Sequence, residues 1–158
     1  MSCILDSMSQ RDSELHQIGA LPFFMNPNGG VDVCLVTSRG GGRWIIPKGN
    51  PIHGLAPHEV AAREAFEEAG LIGRIERHCI GTFKFNRHRG GYENTCSIDV
   101  YALEVERQLP AWEEKGQRSV LRCNVKTALS LVCSQGLAGM INQYIESVSL
   151  VRPILASS

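Results

Sequence analysis

No stretch of this chain approaches the ~20 consecutive apolar residues that a membrane-spanning helix needs, so no membrane span is expected. An excess of charge is also missing. The 16 Lys and Arg balance 16 Asp and Glu, so no global field draws the chain to DNA, RNA or a membrane surface. The six cysteines (Cys3, Cys34, Cys79, Cys96, Cys123 and Cys133) include no C-x-x-C pair, which argues against a zinc site. Most sit in apolar contexts and read as reduced, buried thiols of a cytosolic protein. The segment Met1-Ser2-Cys3-Ile4-Leu5-Asp6 lacks a basic stretch followed by an apolar run. No secretory signal is expected there, and a cytoplasmic location follows by elimination. There are no internal repeats and no low-complexity segments.

What the chain does have is enough length, 158 residues, for one domain with a full core. A flexible N-terminus is expected over residues 1–13, a single domain over 14–150 and a tail over 151–158. Gln17 to Met25 is strand-like, but Pro22 argues for an edge strand or a bulge. Val31 to Thr37 reads as a buried strand, Trp44-Ile45-Ile46 as a short one, and Lys48 to Ala56 as loop. Pro57 suits the first turn of a helix that runs through Ala69, with Gly70 just past its end. Strand material lies between Leu71 and Phe85, followed by a turn over Asn86–Gly91 and a long strand from Tyr92 to Glu106. Leu109 to Arg118 reads as loop and Val120 to Cys123 as strand. Val125–Val132 and Leu137–Val148 are amphipathic helical patterns. Strands, a central helix, more strands and terminal helices predict an α/β fold, a mixed sheet with helices on both faces.

The densest chemistry lies in Arg63-Glu64-Ala65-Phe66-Glu67-Glu68-Ala69-Gly70-Leu71. Glu64, Glu67 and Glu68 fall at spacings of three and four, which share one helix face. Like charges so placed repel unless a cation sits among them, and an all-oxygen set suits a hard divalent cation such as Mg2+. With Gly49 upstream, the stretch resembles the Nudix box, G-x5-E-x7-R-E-U-x-E-E-x-G-U, where U is bulky and apolar. Gly49, Arg63, Glu64, Glu67, Glu68, Gly70 and Leu71 occupy the required offsets, Ala65 is small for its U position, and Leu55 replaces the first glutamate. Six fixed positions, each at roughly one in fifteen, coincide by chance about once in ten million starts.

The resemblance implies a Nudix-type α/β/α sandwich with a loop–helix–loop that binds Mg2+ or Mn2+ through Glu64, Glu67 and Glu68. It implies hydrolysis of a phosphoanhydride by water attack on phosphorus, with Glu67 or Glu68 as general base and Arg63 in the catalytic set. The glutamate missing at Leu55 is a structural brace in the family, and Glu59, four residues before Arg63, reads either as its partial replacement or as a solvated helix residue.

Arg43-Trp44-Ile45-Ile46-Pro47-Lys48-Gly49 and the Trp112-x-Glu114-x-x-x-Arg118 segment are similar to diphosphoinositol polyphosphate phosphohydrolases. The likeness covers roughly residues 17–135. It implies a small, phosphate-rich substrate, a dinucleoside polyphosphate or a diphosphoinositol polyphosphate. Arg39, Arg43, Lys48, Gly49 and Arg89 are the expected substrate-binding residues, since guanidinium forks match phosphates and Lys supplies point charge. Glu93 or Asp99 could add a fourth carboxylate, whereas Trp44 and Trp112 read as core and His53 and His58 as surface. Alternative readings are a nucleotide-sugar or RNA 5′-end pyrophosphohydrolase, or a non-catalytic domain that binds a nucleotide as a regulator. Neutral net charge gives no support for a long RNA track, and no DNA partner is expected. The oligomeric state is not legible.

Overall fold

The computed structural model describes residues 15–40, 42–89 and 92–156, without the side chains of 87–89, 92–93 and 152–156. The expected flexible segment 1–13 lies outside the described residues. Among those described, eight strands form one mixed sheet around β1 (Leu15–Met25). β1 runs parallel to β7 (Tyr92–Gln108), with Leu15 opposite Cys96 and Phe23 opposite Glu104. Its other edge pairs antiparallel with the two-residue β4 (Lys48–Gly49) and then with β2 (Val31–Thr37). β2 in turn carries β3 (Trp44–Ile45) and β8 (Val120–Asn124). β7 carries β5 (Leu71–Ile75) and β6 (Gly81–Arg89).

β1 is therefore central, not the edge strand that Pro22 predicts. Pro22 is buried and faces Leu103 across the parallel ladder. The physical reason lies in the other edge of β1. The Ala20 N–H donates to the Pro47 carbonyl at 2.9 Å, and pairing with β2 begins only at Phe23. Backbone donors alternate sides along a strand, so the N–H that Pro22 lacks would point where β1 changes partners from β4 to β2. A proline there removes no ladder bond. The β6–β7 arm is also longer than the turn over Asn86–Gly91 predicts, because pairing continues out to Arg89 and Tyr92.

Helix α1 (Pro57–Ala69) packs on β1 and β5. Its inward face is Val60, Ala61, Ala65 and Ala69, all fully buried, and the small side chains let the helix lie close to the sheet. α2 (Val125–Leu131) packs on β2, and α3 (Gln135–Ala156) packs on β6 and α2. The result is the expected α/β/α sandwich. Asn124 caps α2, its side chain accepting from the Thr127 N–H at 2.8 Å. α3 continues through Ala156, into the stretch assigned above to the tail. Leu21, Leu35, Ile46, Ile98, Leu103 and Ile141 are fully buried in the core, each contributing about 1.5–3 kcal/mol by removal from water. Trp44 is half-buried and packed against this core.

Gly70 ends α1 in the left-handed region at φ 68°, its N–H donating back to Phe66. Trp112 lies across it, so a β-carbon there would come within 2.5 Å of the indole. Trp112 thus covers the end of the helix, half-buried and outside the main hydrophobic core. Gly70→Ala is expected to destabilise the fold by about 2–4 kcal/mol, the sum of left-handed strain and overpacking, read from the urea midpoint.

Candidate functional site

α1 sends its three box carboxylates to three different environments. Glu64 lies against Gly49 of β4, where a β-carbon would sit 2.2 Å from its carboxylate oxygen. The requirement for glycine at 49 is thus clearance for Glu64. Glu67, partly exposed, pairs with Arg63 one turn earlier at 3.2 Å. Glu68 is only 4% exposed, accepts from the Lys48 N–H at 3.2 Å, and pairs with Arg118 at 3.3 Å. Glu59 does not brace Arg63. Its carboxylate accepts from the Ala56 N–H at 3.2 Å, half of a capping box, because Ala56 has no side chain to cap the helix and Arg63 is taken by Glu67. The Leu55 side of the lost brace is exposed to solvent.

The loop over residues 109–118 supplies the rest. Glu114, 8% exposed, accepts from Arg118 at 3.1 Å and is also paired with Arg39. Arg118 is buried at 7% side-chain exposure and donates to the Thr37 carbonyl at 3.3 Å. Glu68, Arg118, Glu114 and Arg39 form one chain of alternating charge. In the sequence Glu114 and Arg118 stand out only through the family resemblance and through their spacing of four residues.

A cavity of about 870 Å3 opens between this network and the sheet. Of the expected site residues, Arg39, Arg43, Lys48, Gly49, Glu64 and Glu67 line it, joined by Glu114, Arg118 and Phe85. Glu68 does not line it, and Arg63 points away to solvent, paired with Glu67. The side chains of Arg89 and Glu93 lie outside the described residues. Asp99 is not a fourth carboxylate of the cluster, because His16 at 3.0 Å and Thr82 at 2.6 Å hold it elsewhere on the sheet.

Burial and repulsion raise the proton affinity of Glu64 and Glu68. Desolvation, then Glu67 and Glu114, push Glu64 up to about 7. Desolvation is also the main cause for Glu68, pushed up to about 8 against the opposing pull of Arg118. Among the described residues, no three His, Cys, Asp or Glu converge as a closed ligand cage. The donor set is nonetheless all oxygen, from the carboxylates of Glu64, Glu67 and Glu114. Mg2+ binds in this manner, through one or two carboxylates with retained waters and substrate phosphates. The residues fit such a cation, with Glu64 and Glu67 facing the cavity and Glu68 behind them.

Both carboxyls hold protons in the fold at pH values where an unfolded glutamate, near 4.5, has lost them. The folded state therefore binds more protons between about pH 4.5 and 8, and stability falls as pH rises through that window. In EDTA, Tm is expected to drop from pH 6 to pH 8.5, less steeply in Glu64→Gln. Millimolar Mg2+ is expected to raise Tm more at pH 8 than at pH 6. Scanning calorimetry at stepped pH checks both, and a flat wild-type profile contradicts the burial of these charges.

Comparison with known proteins places this geometry in a family. The family model described as NUDIX domain matches residues 15–128. The chain is 27% identical over 121 residues to Nudix hydrolase 13, mitochondrial, of Arabidopsis thaliana, covering 73% of this chain and 60% of that protein. It is 38% identical over 84 residues to diphosphoinositol polyphosphate phosphohydrolase 3-beta of Bos taurus, covering 52% of this chain and 48% of that one. The chain thus spans between about half and three-fifths of the length of these curated relatives. Among solved structures it is similar to a binary complex of the C. elegans Ap4A hydrolase, with TM-score 0.64, 16% identity and coverage of 85% and 98%. It is also similar to the NUDIX domain of Shewanella oneidensis NrtR complexed with ADP ribose, with TM-score 0.65, 17% identity and coverage of 86% and 89%. At those identities the structural likeness speaks for the fold alone. The family model, spanning the sheet from β1 into α2 and the whole carboxylate helix, is what shows that this chain belongs to the NUDIX domain family.

Proposed function

We propose that the chain is a divalent-cation-dependent pyrophosphohydrolase that cleaves a phosphoanhydride in a small, phosphate-rich substrate. The observation that carries this reading is the meeting, in one cavity, of the carboxylates of Glu64, Glu67 and Glu114 with the cationic side chains of Arg39, Arg43, Lys48 and Arg118. A bound Mg2+ or Mn2+ would neutralise the pyrophosphate and make water more acidic, the two tasks that anhydride hydrolysis requires. Glu64 and Glu67 would hold it from the cavity side. Arg43 and Lys48 bind and orient phosphate oxygens. Arg118 fixes Glu68 and Glu114 and presents a guanidinium to the cavity. Of the two candidate bases, Glu67 lines the cavity and takes the proton from the attacking water, whereas Glu68 is committed to Arg118 and the Lys48 N–H. The dinucleoside and inositol polyphosphate classes belong to this proposal, in keeping with the names of the relatives, as does a cytoplasmic location, which imaging of a tagged chain tests.

The deciding experiment incubates the pure chain with Mg2+ and diadenosine polyphosphates, diphosphoinositol polyphosphates, nucleotide sugars and 5′-triphosphate RNA. Cleavage of one class identifies the substrate group. Glu67→Gln is expected to lower kcat by about 10²–10⁴-fold, the usual size of a general-base contribution, with Tm nearly unchanged. Glu68→Gln is expected to lower Tm as well, because it weakens the partner of a buried guanidinium. Failure to cleave any compound with Mg2+ or Mn2+ sinks the hydrolase reading in favour of a nucleotide-binding regulator, with Leu55 as the first position to restore to Glu.

A further inference from the structure

The wall of the cavity that carries Arg43 and Lys48 is built on a single ring. Phe85 of β6 is half-buried and, among the described residues, is the one aromatic side chain lining the cavity. The Arg43 guanidinium carbon stands 4.7 Å from its centroid and the Lys48 amine 5.6 Å. Two like charges gathered on one ring repel each other, and both side chains are long and flexible. Their convergence therefore needs fixed attachments, and it has them. Arg43 donates to the Asn86 carbonyl at 3.4 Å. Lys48 Nζ donates to Gln17 Oε1 at 2.9 Å, and Gln17, 6% exposed in the central strand, is itself oriented by its amide donating to Asn50 at 3.2 Å. A ring face attracts cations through its quadrupole, and a guanidinium over it keeps its edge donors directed outward.

We propose that Phe85 is a positioning residue, its ring holding Arg43 and Lys48 together as a receptor for adjacent phosphate groups, so that ligands are selected by phosphate clustering and not by an aromatic base. The inference rests on the hydrolase reading above and specifies how that site chooses substrates. With the Phe85 ring engaged by two cations, stacking of a nucleobase on it contributes little. Recognition falls to charge and to the spacing of neighbouring phosphates.

The test is calorimetric binding of inositol hexakisphosphate in the presence of Mg2+. This probe has clustered phosphates, no aromatic base and no anhydride to cleave. Wild type is expected to bind it. Phe85→Leu keeps an apolar side chain but loses the ring, and its Kd is expected to rise about tenfold, whereas Phe85→Tyr stays within about twofold. Arg43→Gln and Lys48→Gln are each expected to weaken binding about tenfold, a second handle should Phe85→Leu fail to fold. The inference is overturned if wild type does not bind, if Phe85→Leu binds like wild type, if Tyr does not rescue, or if both cation variants lose less than about twofold. If binding behaves as expected while no anhydride is hydrolysed, the hydrolase reading fails and this one stands. If anhydrides are hydrolysed and the Leu variant binds unchanged, the reverse holds. For a cleaved phosphate-rich substrate, the Leu variant is expected to show its loss in KM more than in kcat.

Discussion

A single buried guanidinium ties this molecule together. Arg118 sits between Glu68 of α1 and Glu114 of the 109–118 loop, and donates to the Thr37 carbonyl at the end of β2. Three elements distant in sequence meet on that one cation. Removing one partner of such a buried set typically costs about 3–5 kcal/mol, because the others are left charged without compensation. The pairing is also incomplete. Glu64, Glu67, Glu68 and Glu114 crowd the same corner, and burial and repulsion leave Glu64 and Glu68 with proton affinities far above that of a free glutamate. The network is compensated enough to fold and negative enough to attract a cation.

The same economy governs the cationic wall. Lys48 contributes twice, through its backbone N–H to Glu68 and through its amine to Gln17. β4 is only two residues long, yet it anchors both sides of the cavity, because its second residue, Gly49, is the surface against which Glu64 rests. Positions read as ligand contacts are thus partly the joinery of the site. Gly49 makes room and Lys48 carries a backbone donor.

Much of the site was legible because its signal is local. Glu64, Glu67 and Glu68 declare themselves through helical spacing, and Pro57 and Gly70 mark the ends of the helix that carries them. The misreadings have a common physical origin, which is that a residue's meaning changed with a partner far along the chain. Pro22 signals an edge by its own chemistry, but its missing donor falls where β1 changes neighbours. Glu59 has the spacing to pair with Arg63, but Arg63 is bound to Glu67 and the cap of the helix needed an acceptor. Glu114 and Arg118 stand out in the sequence only through a family resemblance, since nothing in their own segment reveals that Glu68 and Thr37 await them. Gln17 and Phe85, ordinary strand residues in sequence, gain their roles only when β1 and β6 bring them beside Lys48.

The parallel pairing of β1 with β7 carries a consequence for synthesis. Leu15 waits for Cys96, about 80 residues later, before its ladder can form. A chain leaving the ribosome therefore exposes Ile18, Leu21 and Phe23 until β7 has emerged and the intervening segments have been set aside. Closing so large a loop is slow, and the uncovered strand is open to wrong partners throughout. Among the described strands β1 is made first, yet its parallel edge stays open until β7 is made. Chaperone occupancy on the nascent chain is where that delay would be felt.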